Sequence, residues 1–232
     1  MGYESPMPVQ EEVIPFLLGD DNDVIALAQT GTGKTAAFGL PILQKIDVTT
    51  YHPQALVLCP TRELCLQIAD DLNDYSKYID NLKVLPVYGG SSIESQIKTL
   101  KRGVHVVVAT PGRLLDLMNR KTVDLSLVKN VIMDEADEML NMGFTDSINA
   151  ILAEVPENRN MLLFSATMPK EIANITKKYM KNPKEIVIGN KNEGNKNIRD
   201  IYYMVQARDK YLALKRIADF YPNIYGLSLI HI

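Results

Sequence analysis

Short apolar runs alternate with longer amphipathic stretches from one end of the chain to the other, and this alternation limits the fold more than any other feature of the sequence. The runs Val24–Ala28, Ala55–Cys59, Val84–Tyr88, Val104–Ala109, Val128–Met133 and Met161–Ser165, with a last one at Glu185–Ile188, are rich in Val, Ile and Leu. Strands read this way when helices cover the sheet on both sides and neither face meets water. Helical spacing of apolar residues is found across Lys34–Ile46, Glu63–Ile79, Ile93–Lys101, Arg113–Arg120, Asp146–Leu152 and Lys170–Met180. The pattern predicts an α/β fold, a mostly parallel sheet with helices on both faces. In such sheets ligands bind at the carboxyl ends of the strands, where the chemically interesting residues of this chain fall.

At 232 residues the chain is long enough for one well-buried domain and the start of another. With 46% hydrophobic and 23% charged residues, disorder is excluded for most of it. No apolar run approaches the roughly 18 residues that a membrane-spanning helix needs. The opening Met1-Gly2-Tyr3-Glu4-Ser5-Pro6 lacks the basic and apolar regions of a secretory signal, and Pro6 breaks the myristoylation pattern. Cys59 and Cys65 alone cannot supply a disulfide framework or a four-ligand zinc site, and a reducing cytoplasm is the expected compartment. The formal charge of −3 is that of no strongly basic protein, so any contact with nucleic acid has to arise from local features.

After residue 189 the composition changes. Residues 190–199 are polar and lack a hydrophobic pattern, as expected of a linker. A strand-like Ile201–Val205 and a helical Lys210–Phe220 follow, too little to enclose a core. The expected organisation is a domain over residues 1–189, the linker, and a second domain that begins at 200 and is cut short by 226. The closing Leu227-Ser228-Leu229-Ile230-His231-Ile232 resembles the translation of a sequencing-library adapter and is expected to be an artefact, the alternative being an ordinary apolar strand.

Ala28-Gln29-Thr30-Gly31-Thr32-Gly33-Lys34-Thr35 follows a predicted strand and opens a predicted helix. In that setting backbone N–H groups from Gln29 to Thr35 can wrap phosphates, and the helix N-terminus adds its positive dipole end. Gly31 and Gly33 allow the close approach, Lys34 would neutralise the β- and γ-phosphates, and the Thr35 hydroxyl would ligate Mg²⁺. One hundred residues further on, Asp134-Glu135-Ala136-Asp137 closes the strand Val131-Ile132-Met133. Asp134 there is placed to hold Mg²⁺ through water, and Glu135 to position and deprotonate an attacking water. An acidic box by itself would be an ordinary helix cap; its company with the phosphate loop gives it weight.

Together with Pro60-Thr61-Arg62-Glu63-Leu64, Gly89-Gly90, Thr110-Pro111-Gly112-Arg113 and Ser165-Ala166-Thr167, these blocks resemble, in order, those of the N-terminal RecA-like domain of the DEAD-box RNA helicases over roughly residues 2 to 189. The resemblance implies a RecA-like P-loop NTPase fold, ATP and Mg²⁺ as cofactors, and RNA as partner. It makes Gln10 an adenine reader through its amide, with an upstream aromatic that would precede Met1, so that the chain is expected to be truncated there or read from an internal Met. It makes Pro60, Thr61, Arg62, Gly89, Gly90, Thr110, Pro111, Gly112 and Arg113 an RNA surface that grips phosphates without a sequence code. Thr61 and Thr110 suit N-cap positions and Pro111 the first helical one, so two helix N-termini would face the RNA. Asp137, Ser165 and Thr167 would couple nucleotide state to RNA grip.

The function so implied is ATP-dependent RNA unwinding or remodelling, with Lys34, Asp134 and Glu135 catalytic. The family's arginine fingers belong to the second domain, so this chain alone is expected to bind ATP and RNA with little turnover. Two alternatives stay open: a nucleotide- and RNA-binding module without catalysis, and a DNA-directed helicase of the same superfamily. The cysteines and histidines are expected to be structural or incidental.

Overall fold

The computed structural model describes residues 4–19, 23–29, 31–188 and 201–221. Seven strands, β1 (Val24–Leu27), β2 (Ala55–Leu58), β3 (Val84–Val87), β4 (Val106–Ala109), β5 (Asn130–Met133), β6 (Asn160–Ser165) and β7 (Lys184–Val187), form one sheet in the order β3-β4-β2-β5-β6-β1-β7. Every pairing is parallel. Parallel neighbours need crossovers, which the helices supply. These are α1 (Pro8–Leu18), α2 (Lys34–Gln44), α3 (Arg62–Ser76), α4 (Ile93–Lys101), α5 (Pro111–Asn119), α6 (Ala136–Asn141), α7 (Thr145–Glu154) and α8 (Lys170–Tyr179).

Successive strand residues alternate between two cores, as a period of two requires. Leu56, Leu58, Val107, Val131, Met133 and Leu163 pack on one face with α5, α7 and α8. Val57, Val106, Val108, Ile132, Leu162 and Phe164 pack on the other with α1, α2 and α3. There Phe38 of α2 meets Phe164 at a ring-centroid distance of 5.3 Å. The edge strands are less buried, and Pro86 in β3 sits where a missing ladder donor is tolerated.

A buried carboxylate fixes the register at the opposite end from the motifs. Asp23, 4% exposed, accepts from the backbone N–H of Met161 at 2.6 Å and from that of Lys181. It thereby ties the entry of β1 to those of β6 and β7.

Predicted and observed elements agree closely, with informative differences. β4 and β5 begin two residues later than expected, at Val106 and Asn130. Ahead of β4, the buried His105 accepts from Lys83 N–H through Nδ1 at 3.0 Å, and its Nε2 lies 3.2 Å from Val48 O, a structural use of a histidine that joins two loops. Helices α1 and α6 were not anticipated as elements. Ile201–Val205, expected as a strand, is not one: these residues are exposed and make no ladder among the described residues. Apolar content alone does not make a strand; a pairing partner does.

The chain divides into two compact units, 1–193 and 194–232. The second contains a short 3₁₀ turn (Ala207–Asp209) and α9 (Lys210–Phe220). The expected linker 190–199 and the suspected artefact 227–232 lie outside the described residues. Among those described, no helix is long and apolar enough to cross a membrane.

Replacing Asp23 with Ala leaves the buried Met161 N–H unpaired, at about 1–3 kcal/mol, and the part-buried Lys181 N–H without its partner at a smaller cost. Asp23→Ala is therefore expected to destabilise the sheet unit by about 2–4 kcal/mol, read as a lower urea midpoint. An unchanged midpoint would show that the carboxylate does not hold the three strand entries.

Candidate functional site

The strand order sorts the predicted residues into two groups at the carboxyl edge of the sheet. The loops after the neighbouring β5, β6 and β1 carry Asp134–Asp137, Ser165–Thr167 and Gln29–Thr35. The loops after β3, β4 and β2, also neighbours, carry Gly89-Gly90, Thr110–Arg113 and Pro60–Arg62.

In the first group, β1 gives way to a turn in which Gly31 and Gly33 adopt φ of 78° and 83°, the left-handed region that glycine enters freely. Gly33 is also pressed by α1: a Cβ there would collide with Gln10 Nε2 and lie 3.3 Å from Met7 Cγ. Gln10 is buried, donates to Gly33 O at 3.1 Å and accepts from Met7 N–H at 2.9 Å, so its amide joins α1 to the loop. Thr32 closes the turn on Gln29 O at 2.8 Å. Thr30, also expected at this site, lies outside the described residues.

Lys34 opens α2 and is only 7% exposed. Its ammonium is 3.4 Å from Ala28 O and 3.7 Å from Asp134 Oδ1. Both contacts exceed the ~2.8 Å of a well-formed charged hydrogen bond, so a group with three donors is weakly satisfied. Asp134, 3% exposed, accepts from Glu135 N–H at 3.0 Å. Burial pushes its carboxyl up, while Lys34 beside it pulls the other way. Glu135 is half-buried, and its carboxyl is also raised, first by burial and then by Asp134. Its backbone sits at φ 50°, ψ 50°, left-handed for a non-glycine residue, a strain of about 1–3 kcal/mol.

These residues line one cleft of about 560 Å³. Gln10, Gly31, Gly33, Lys34, Thr35, Asp134 and Glu135 were expected there; Gln67, Asp71 and Tyr75 of α3 were not. Counted from Leu64, which also borders the cleft, the intervals are three, four and four residues, one face of a helix, so polar residues on that face were the available signal. Burial raises the Asp71 carboxyl, followed by the nearby Asp74 and Asp70. A buried cation, the open backbone at Gly31, a helix N-terminus, and the Thr35 hydroxyl and Asp134 carboxylate lining the same cleft suit a polyphosphate with a hard divalent cation. A larger cavity of about 800 Å³, lined by Asp23, Gln54, Asn130 and Arg159 among others, contains none of the expected residues and lies at the amino ends of the strands.

Asp137 connects the acidic box to β6. Thr167 donates to its Oδ2 from both N–H and Oγ1, at 2.9 and 2.8 Å, and Asp137 N–H donates to Ser165 Oγ at 3.3 Å. Thus the three residues expected to act together are in contact.

In the second group, Thr61 caps α3, its hydroxyl accepting from Leu64 N–H at 3.2 Å. Thr110 occupies the corresponding position before α5, but its side chain makes no capping hydrogen bond, a departure from expectation. Pro111 at the first helical position does the work there by presetting the backbone. Pro60 and Pro111 are buried and shape the loops, whereas Arg62, Gly89, Gly90 and Gly112 are exposed. The Arg62 guanidinium lies 5.1 Å over the Tyr88 ring, and Arg113 Nη1 donates to Ser91 O at 3.2 Å and to Gln96 Oε1 at 3.1 Å.

The Glu135 carboxyl, raised above its ordinary value, favours the folded state when protonated, and that contribution is lost as pH rises through the raised value. Glu135→Gln is therefore expected to melt at a higher temperature than the parent at pH 7 to 8, with the gap closing below about pH 4. Thermal melts across this range test it; a variant less stable at pH 8 would contradict the stated environment.

The profile of the family described as DEAD/DEAH box helicase matches residues 7–175. An "ATP-dependent RNA helicase DeaD" of Mycobacterium tuberculosis is 50% identical over 222 residues, which are 96% of this chain and 39% of that protein. A "DEAD-box ATP-dependent RNA helicase CshA" of Bacillus cereus is 48% identical over 219 residues, 94% of this chain and 41% of that one. The chain thus spans about two fifths of these relatives' length. Among solved structures, a DEAD box protein of Methanococcus jannaschii superposes with a TM-score of 0.77 at 43% identity, covering 94% of this chain and 58% of the other. A hypothetical ATP-dependent RNA helicase of Sulfolobus tokodaii gives 0.74 at 44% identity, covering 81% and 54%. The fold is the RecA-like α/β fold of those proteins, and the chain belongs to the DEAD/DEAH box helicase family.

Proposed function

We propose that this chain is the ATP-binding part of an ATP-dependent RNA helicase and that the cleft beside Lys34 takes ATP with Mg²⁺. The observation that carries the reading is the approach of Lys34 Nζ to Asp134 Oδ1, 3.7 Å, across elements one hundred residues apart and both buried. In this reading the N–H groups of Gln29 to Thr35 wrap the phosphates and Lys34 turns its weakly held ammonium to the β- and γ-oxygens. Gln10, already against the loop, presents its amide to adenine. Thr35 and Asp134 hold the metal, which when bound supplies charge neutralisation to the phosphates. Glu135, whose raised carboxyl is suited to accept a proton, orients and deprotonates the attacking water.

The second group of loops serves as the RNA surface. The N-termini of α3 and α5 offer unpaired backbone donors, and Arg62 and Arg113 add charge, so phosphates are gripped without reading bases. Asp137, bonded to Thr167 and backed by Ser165, relays the nucleotide state to that surface. Residues 1–189 form this domain, 190–199 link it to the next, and 200–226 begin a second RecA-like domain that supplies arginine fingers in the longer protein. Such a finger is worth about 10³–10⁵ in rate, so this chain alone binds ATP and RNA and turns over slowly. The site of action is the cytoplasm.

Lys34→Ala is expected to abolish binding of a fluorescent ATP analogue; retained affinity would remove Lys34 from the phosphate site. Arg113→Ala is expected to weaken single-stranded RNA regardless of its sequence, by fluorescence anisotropy, and a sequence-dependent loss would contradict backbone recognition. Single-turnover hydrolysis by this chain, with and without RNA, separates slow binding from catalysis: RNA-stimulated turnover at the rate of a full-length relative would overturn the need for a second domain.

A further inference from the structure

One buried amide ties the two arginines of the second group to the glycine turn between them. Gln96 is 6% exposed and lies on α4, where it is the one residue classed as buried, while Ile93, Ile97 and Leu100 are only partly covered. An amphipathic helix ordinarily buries an apolar residue deepest. Here the deepest position is polar, and its amide uses both donors and accepts once. Nε2 donates to Tyr88 O at 3.2 Å and to Ser91 Oγ at 2.7 Å, bracketing Gly89-Gly90. Oε1 accepts from Arg113 Nη1 at 3.1 Å.

The network reaches the other arginine through Tyr88, whose ring lies 5.1 Å beneath the Arg62 guanidinium. Gly90 adopts φ +83°, a turn conformation that strains a residue with a side chain, and lies beside Arg62. Only an amide fits all of these demands, because Glu cannot donate, Lys cannot accept, and an apolar residue would leave Tyr88 O and the guanidinium of Arg113 with fewer partners.

We infer that Gln96 is a positioning residue of the RNA surface, holding Arg113 and the Gly89-Gly90 turn in the arrangement that meets RNA phosphates. The inference rests on the RNA reading of these loops given above. Gln96 touches neither the phosphate loop nor the acidic box, so its loss alters RNA affinity and leaves nucleotide affinity alone.

The test uses this chain with a fluorescein-labelled oligouridylate, measured over a range of salt concentrations, in the parent, Gln96→Met, Gln96→Glu, Arg113→Ala and the Gln96→Met/Arg113→Ala double variant. Gln96→Met keeps the shape and removes every hydrogen bond. It is expected to weaken RNA about three- to tenfold and to make the slope of log affinity against log salt shallower by about 0.7, the value of one lost single-strand phosphate contact. Adding Arg113→Ala to it should cost little more, because the arginine is already misplaced. Gln96→Glu keeps an acceptor for Arg113 but cannot donate to Tyr88 O and offsets the guanidinium charge, so it too should weaken RNA and flatten the salt slope while nucleotide affinity stays at the parental value, which a merely structural role would not do; it also carries the test if Gln96→Met fails to fold. Binding of the fluorescent ATP analogue should be unchanged in Gln96→Met and Gln96→Glu. If Arg113→Ala weakens RNA while Gln96→Met leaves affinity and slope at parental values, or if the two losses simply add, the positioning role is wrong. Parental RNA affinity in Arg113→Ala itself would instead overturn the RNA surface, and this inference with it.

Discussion

Two opposite charges buried at the carboxyl edge of the sheet, Lys34 and Asp134, constrain everything around them. Each ion taken out of water costs several kcal/mol, and removing either partner leaves the other uncompensated at about 3–5 kcal/mol. Their pairing therefore demands that the loop after β1 and the box after β5 stay together, although β6 lies between their strands. The contact is long, so the pair is held in place without being saturated. A site of that kind favours an anionic ligand with its own cation, because the ligand completes coordination that the protein leaves partial. The left-handed backbone of Glu135 belongs to the same constraint, since it turns the chain sharply between the buried Asp134 and α6.

The strand order accounts for how one small domain serves two proposed tasks. The loops of β5, β6 and β1 build the nucleotide side, and those of β3, β4 and β2 the RNA side, so neither set interrupts the other. One element runs from one set to the other. The helix α3 starts with Arg62 on the RNA side and passes Gln67, Asp71 and Tyr75 along the nucleotide cleft. Asp137, in the acidic box, is bonded to Thr167 beyond β6. In the proposed reading, α3 carries a change from one site to the other as a rigid helix, and the Asp137–Thr167 hydrogen bonds are the breakable contact on the nucleotide side.

Much of this was legible in the sequence, for physical reasons that differ from residue to residue. The strands announced themselves because a sheet covered on both faces needs continuous apolar runs. The phosphate loop was legible because glycine enters at no steric cost the backbone region that Gly31 and Gly33 occupy. The order of the strands was not, since the central runs are chemically interchangeable. Nor was Gln96, whose meaning depends on Tyr88, Ser91 and Arg113 meeting in space. Ile201–Val205 misled because its apolar character was read without a pairing partner. Thr110 looked like Thr61 in sequence, yet only Thr61 uses its hydroxyl as a cap.

The central claim is spatial: the lysine loop and the acidic box serve one metal-bound triphosphate. A crystal structure of this chain with a non-hydrolysable ATP analogue and Mg²⁺ tests it most directly. The account predicts the phosphates inside the turn from Gln29 to Thr35, the metal against the Thr35 hydroxyl, and Asp134 reaching it through water. Triphosphate bound elsewhere, or metal that avoids both Thr35 and Asp134, would contradict it.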